Sequence, residues 1–140
     1  MAQQIAFGAD DDNEVVAAVR SWIEAHHELV EVDAAAEWPS MAHGLATAVA
    51  RHDADLGVVM CWTGTGTAIA ANKVAGIRAA QAHDAWVATN ARRWNDANVL
   101  ALSSRRLSAD QAVECVRAFV ETDEIDPDER DRIDELKALG

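Results

Sequence analysis

The chain lacks most of the features that confine a sequence to a special structural class. Its 140 residues contain only two cysteines and two prolines, and no apolar run approaches bilayer-spanning length. Cys61 and Cys115 lie too far apart for a disulfide framework or a zinc-ligand spacing, so a cytoplasmic protein with reduced thiols is expected. The beginning of the chain lacks the basic-then-apolar order of a signal peptide. Positive charge is scarce: 12 lysines and arginines stand against 24 aspartates and glutamates, a formal net charge of −12. Such a field repels nucleic acid and anionic membranes and argues against both as partners. It also repels a small anion unless a local cationic cluster reverses its sign. The acidic stretch 121–129 reads as a solvated turn and helix start. With no repeat, linker or low-complexity segment, residues 1–140 read as a single domain.

What is present is an alternation of strand and helix signals. Residues 4–8 read as a short buried strand ending at Gly8. Asp10, Asp11, Asp12 and Asn13 then supply helix-capping chemistry. Val15, Val16, Val19 and Ile23 recur at helical spacing up to about His26. Residues 29–32 read as a second strand, and 42–51 as a helix after the breaker Trp38-Pro39. Residues 56–60 form a third strand, apolar throughout, as expected where both faces are covered. The pattern continues with a helix over 68–73, a strand over 77–80, a helix from the cap Asp84 to Trp94, and a strand over 99–102. A helix opening at Ser108 or Asp110 follows, and a last one runs over 128–139. The predicted fold is a three-layer α/β/α Rossmann-like domain with a five-stranded parallel sheet. Ligands in such sheets bind beyond the carboxyl ends of the strands, at the loops that start at Gly8, Cys61, Gln81 and Ser103.

One of those loops stands out. Val58-Val59-Met60-Cys61-Trp62-Thr63-Gly64-Thr65-Gly66-Thr67 runs from an apolar strand through a cysteine into a loop of small and hydroxyl residues, with a helix to follow. Cys115 sits among core-like neighbours in a helix and reads as a small buried hydrophobe. Cys61 sits where free N–H groups lower a thiol pKa and make thiolate available near neutrality. Gly64 and Gly66 allow close approach of the backbone, whose N–H groups can hold a phosphate, a carboxylate or a developing enediolate. A dinucleotide fingerprint fails because Ile69 occupies the place of the third small residue, and no Walker lysine follows. A receiver domain would share the acidic pair after the first strand, but needs an aspartate where this chain has Cys61. His26, His27, His43, His52 and His83 show no metal-ligand spacing, so no metal is expected.

These residues resemble the ribose-5-phosphate isomerase B and galactose-6-phosphate isomerase family. The similarity rests on Cys61-Trp62-Thr63-Gly64-Thr65-Gly66, on Ile69-Ala70-Ala71-Asn72-Lys73 with Gly76-Ile77-Arg78, and on Asn95-Asp96-Ala97-Asn98-Val99-Leu100-Ala101. It implies a dimer, possibly a tetramer, whose active sites lie at the subunit interface. It also implies aldose–ketose isomerisation of a phosphorylated sugar without metal or cofactor. By the resemblance, Cys61 is the base that moves a proton between neighbouring carbons, and Thr63 shuttles protons near the carbonyl oxygens. Backbone N–H groups over Gly64, Thr65 and Gly66 hold the enediolate oxygen. Asn95 contacts substrate oxygens, Asp10 binds sugar hydroxyls, and Arg105 and Arg132 bind phosphate. Thr67 stands where a second branch of the family places a glutamate, so the chain groups with the cysteine branch.

The departures are specific. Trp62 replaces a glycine and narrows one wall. Asp11 replaces a histidine, Asp128 an arginine, and Arg93 an acidic residue, while Arg130 is near enough in sequence to compensate. Trp94 replaces the histidine that opens the sugar ring, and an indole cannot perform that proton transfer. A site without a ring-opening group suits a substrate without a ring. The expected substrate is therefore a tetrose 4-phosphate, such as the erythrose/erythrulose 4-phosphate pair, with ribose 5-phosphate/ribulose 5-phosphate as the family alternative. A catalytically silent partner subunit of a heteromeric isomerase is the competing reading: the lost cations favour it and the retained Cys61 opposes it.

Overall fold

The computed structural model describes residues 2–32 and 37–140. Strand and helix alternate as β1 (Gln4–Ala9), α1 (Glu14–His26), β2 (Glu28–Glu31), α2 (Trp38–Ala50), β3 (Leu56–Cys61), α3 (Thr65–Ala71), β4 (Ala79–Gln81), α4 (Ala85–Asn95), β5 (Val99–Ser103) and α5 (Ala109–Glu121). A 3-10 turn (Pro127–Glu129) then leads into α6 (Arg130–Ala138). The strands form one sheet in the order β2-β1-β3-β5-β4, and every pairing is parallel.

The two-residue period of the strands divides the core into two layers. Ile5, Phe7, Val58, Met60, Leu100 and Leu102 point to one face, where α1, α4 and α5 cover them. Ala6, Val59, Val99 and Ala101 point to the other, under α2 and the end of α3. Each large side chain removed from water in this way contributes about 1.5–3 kcal/mol. Covering both faces is why all six residues of β3 are buried and why its sequence shows no polar alternation. The expected three-layer α/β/α architecture with five parallel strands is therefore present.

Helix starts follow their capping residues. The side chains of Asn13, Asp84 and Ser108 accept hydrogen bonds from the backbone N–H of Val16, Val87 and Gln111, and Ser108 with Gln111 completes a reciprocal capping box. Several boundaries differ from the sequence expectation. The second helix begins at Trp38, not at 42, because Pro39 falls in its first turn, where no intrahelical N–H is required. The third helix begins at Thr65, three residues earlier than expected. The fourth strand starts at Ala79 instead of 77: Ile77 closes a turn onto the Val74 carbonyl, and the Arg78 N–H donates to the Asn98 side chain. The strands β3 and β5 each run one residue further, to Cys61 and Ser103.

Strand order places the chemistry. β2 lies on one side of β1 and β3 on the other, so the loops leaving β1 and β3 diverge and open a crevice at the carboxyl edge of the sheet. Among the described residues no helix is long and apolar enough to cross a membrane.

Candidate active site

Cys61 is the last residue of β3, at the centre of the sheet, and only 7% of it is exposed. Its sulfur is ringed by donors. The Gly64 N–H donates to Sγ at 3.1 Å, and the Thr67 hydroxyl, itself fully buried, lies 3.3 Å away. Burial pushes the thiol pKa up. The Thr67 hydroxyl and the backbone N–H groups of Thr67, Gly64 and Thr63 push it down further, and the net result is a thiol below its ordinary value. Cys115 makes the contrast. It is completely buried with no such donors, and desolvation followed by the charges of Asp84 and Glu114 raises its pKa to about 11. The two thiols therefore differ in the direction of their shift.

The loop after Cys61 is held rigidly. Gly64 has φ +81°, a left-handed conformation in which a side chain is strained. A Cβ there would also meet the backbone of Leu102 and Ser103 at 3.0–3.2 Å. The Trp62 carbonyl accepts from the Ser103 hydroxyl, and the Thr63 carbonyl accepts from the Gln81 amide at 2.7 Å. Neighbouring strand ends β5 and β4 thereby brace the loop from its far side. The loop after β1 is tied in as well: the Asn13 amide donates to the Ser104 carbonyl at 2.8 Å, and the Asp10 N–H to the Met60 carbonyl at 3.2 Å.

These loops enclose a cavity of about 330 Å³ lined by Asp10, Trp38, Cys61, Trp62, Thr63, Thr65 and Gly66. Asp10 has its pKa raised by partial burial and by the charge of Asp11, offset in part by its own backbone and by Arg105. Thr63 and Thr65 share a hydroxyl–hydroxyl contact of 2.7 Å at the rim. The expected amide cradle needs refinement. The Gly64 N–H is aimed at the sulfur and the Thr65 N–H at the Thr63 hydroxyl, 3.3 Å away. In the first turn of α3 that leaves the Gly66 N–H, among the described residues, without a hydrogen bond inside the loop.

Arg105 follows β5 and reaches the rim. Its guanidinium lies 3.7 Å from the centre of the Trp62 ring, and its Nε lies 3.7 Å from an Asp11 carboxylate oxygen. The sequence missed Trp38, which reads there as a breaker yet presses its ring against Gly66, leaving only 2.8 Å to a Cβ at that position. It also missed the donor role of Thr67. The signal for Thr67 was its place in the first turn of the helix after the cysteine, where a side chain can point back at the strand end.

Trp94, Asn95 and Arg132 are not brought to this cavity within one chain. Asn95 ends α4, four residues before β5 begins, so it lies at the amino edge of the sheet, on the order of 15 Å from the carboxyl edge where Cys61 sits. Trp94 packs edge-on against Trp86, with ring centres 5.6 Å apart. Arg93 lies 3.8 Å from Asp126. Arg132 pairs with Glu135 at 2.7 Å on α6. Asn95 lines a different, larger hollow of about 540 Å³ with Lys73, Arg78, Leu136 and Lys137, which contains no thiol.

Comparison with known proteins gives a consistent set of relatives. The Ribose/Galactose Isomerase family model matches residues 5–136. The chain is 40% identical over 86 residues to the Ribose-5-P isomerase B of Listeria innocua, covering 61% of this chain and 58% of that protein. It is 35% identical over 129 residues to the D-erythrulose-4-phosphate isomerase 2 of Mycolicibacterium smegmatis, covering 86% and 85%. The type B ribose 5-phosphate isomerase of Trypanosoma brucei superposes with a TM-score of 0.88 at 34% identity over the whole of both chains.

Proposed function

We propose, for a chain that belongs to the Ribose/Galactose Isomerase family, that it interconverts the aldose and ketose forms of a short phosphorylated sugar, with Cys61 as the base. The observation that carries this reading is the sulfur itself, a thiol held below its ordinary pKa by four donors and facing a cavity of about 330 Å³.

The chemistry follows from that placement. A hydrogen on carbon next to a carbonyl is far less acidic than a thiol, so a thiolate alone removes it too slowly. A donor aimed at the developing enediolate oxygen supplies up to roughly 3–4 kcal/mol. A correctly placed base supplies a further 10²–10⁴-fold, roughly. Cys61 takes the proton from one carbon, and the Gly66 N–H and the Thr63 hydroxyl stabilise the oxygen that gains charge. The proton of the neighbouring hydroxyl passes to that oxygen by way of the Thr63 hydroxyl, so the second oxygen becomes the new carbonyl as Cys61 returns its proton to the carbon that bore the first. Asp10, at the cavity wall, orients the sugar hydroxyls, and Arg105 offsets the phosphate charge in an otherwise acidic molecule.

The substrate we favour is a tetrose 4-phosphate. Its O4 is esterified and cannot close a five-membered ring, so no ring-opening acid is needed where this chain has Trp94. The M. smegmatis relative named as a D-erythrulose-4-phosphate isomerase supports that choice. Ribose 5-phosphate is the competing substrate, as the name of the Listeria relative suggests.

The working unit is a homodimer with the site at the interface. Two separate exposed aromatic surfaces support this: Trp38 and Trp62 at the cavity, and Trp86 and Trp94 on α4. A second copy that placed its α4 end against the cavity would bring Trp94 and Asn95 to Cys61, with Arg132 carried on the adjoining α6. Two free thiols without a disulfide suit a reducing cytoplasm.

The test is a pair of initial-rate measurements on the purified protein with erythrulose 4-phosphate and ribose 5-phosphate, repeated for Cys61→Ser. The tetrose is expected to give the higher kcat/KM, and Cys61→Ser to lower kcat by orders of magnitude in a folded protein. A higher kcat/KM on ribose 5-phosphate refutes the substrate, and full activity of Cys61→Ser refutes the base.

A further inference from the structure

Trp62 is half exposed, lines the cavity and follows Cys61 directly in sequence. A large exposed indole at that position needs a reason, and its neighbour supplies one. The Arg105 guanidinium stacks on its face at 3.7 Å, close contact for a cation over an aromatic ring. The same group is touched on its Nε edge by Asp11, at 3.7 Å. One face and one edge of the fork are thus occupied. Among the described residues its two terminal nitrogens make no hydrogen bond, and these are the atoms that grip a phosphate in bidentate fashion.

We propose that Trp62 is a positioning residue: with Asp11 it fixes the Arg105 guanidinium beside the base, so that the terminal nitrogens hold the phosphate of a short sugar close to the reacting carbons. This deepens the isomerase reading and rests on it for the identity of the sugar. The Asp11 contact alone is a single ion pair at 3.7 Å to a long, half-exposed side chain and orders it weakly. The indole supplies a broad, rigid, preorganised surface, and its backbone is clamped through the Ser103 hydroxyl on the Trp62 carbonyl. Ser103 serves both partners, because its hydroxyl oxygen also accepts from the Arg105 N–H at 3.3 Å. Strand β5 therefore sets the platform and the cation in one register. Anchoring the cation on the residue next to the thiol also limits how far the phosphate can sit from the chemistry, which selects for chain length.

The test measures the Kd of inorganic phosphate by calorimetry on the full chain, so that it does not depend on turnover. Trp62→Leu keeps apolar bulk but removes the ring face, and is expected to raise Kd about 3–10-fold. Trp62→Phe restores a ring and is expected to stay within about twofold of the parent. Arg105→Gln should weaken binding at least as much as Trp62→Leu. The double variant should be no weaker than Arg105→Gln alone, because Trp62 acts only through Arg105. Undetectable binding by the parent, an unchanged Kd in Trp62→Leu, Trp62→Phe as weak as Trp62→Leu, or additive losses in the double variant would each overturn the proposal. The two readings fail separately. Phosphate binding in the expected pattern with no turnover of any sugar phosphate removes the isomerase reading alone. Tetrose turnover with Trp62→Leu binding normally removes this one alone.

Discussion

Gly64→Ala is the most demanding perturbation of this site, because one methyl group tests both the fold of the loop and the state of the thiol. At φ +81° an alanine is strained by about 1–2 kcal/mol. Its methyl would meet the Leu102 carbonyl carbon at 3.0 Å, the Leu102 oxygen at 3.2 Å and the Ser103 nitrogen at 3.2 Å. These are backbone atoms of β5, which is paired on both edges and cannot swing aside, so overpacking adds roughly 1–3 kcal/mol. The expected total is about 2–5 kcal/mol, read as a lower midpoint in urea unfolding. Any relief must come from the loop, and moving the loop pulls the Gly64 N–H away from the Cys61 sulfur that it now reaches at 3.1 Å. The thiol then loses a donor, and alkylation of Cys61 by iodoacetamide should require higher pH. Gly44→Ala is the control. Gly44 lies in α2, nothing stands within 4 Å of its added Cβ, and the same substitution should stabilise by about 0.5–1 kcal/mol. Unchanged stability together with an unchanged alkylation profile in Gly64→Ala would refute the reasoning.

Two further outcomes follow from the site. Thr67→Val removes the hydroxyl beside the sulfur while nearly keeping its shape, so the thiol pKa should rise and the acid limb of the kcat/KM profile should move to higher pH. The sign is fixed because thiolate is the active form and the parent pKa is lowered in part by this hydroxyl; an acid limb that stays in place or moves lower would count against Cys61 as the base. Mixing inactive Cys61→Ser with inactive Asn95→Ala subunits should recover about a quarter of parental activity if each site draws on both copies of a symmetric dimer, whereas a mixture as inactive as its components would show that Asn95 does not act across an interface.

The fold was legible because a doubly covered parallel sheet leaves a strong record in the sequence: apolar strands such as 56–60, and polar caps at Asn13, Asp84 and Ser108 where helices start. Boundaries were less legible where a local signal has two meanings. Trp38-Pro39 reads as a breaker in isolation and starts a helix in the structure, because proline is equally at home before a helix and in its first turn. The three-residue β4 could not be bounded from its own sequence, since the hydrogen bond that sets its start comes from Asn98, twenty residues later.

The same division holds at the site. The amino-acid sequence alone determined that a thiol would follow an apolar strand covered on both faces, that a glycine-bearing loop would come after it, and that an acidic chain would have few cations for an anion. Those are properties of residues close together in the chain, and short-range backbone chemistry governs them. Only tertiary structure decided which N–H groups turn toward the sulfur and which stay open, that Trp38 closes one wall, and that Arg105 lies on Trp62. The last two join residues far apart in the chain at the carboxyl edge of the sheet, and the first depends on Gly64 being packed against the backbone of β5. Their meeting depends on strand order and packing, which no local pattern in the chain encodes.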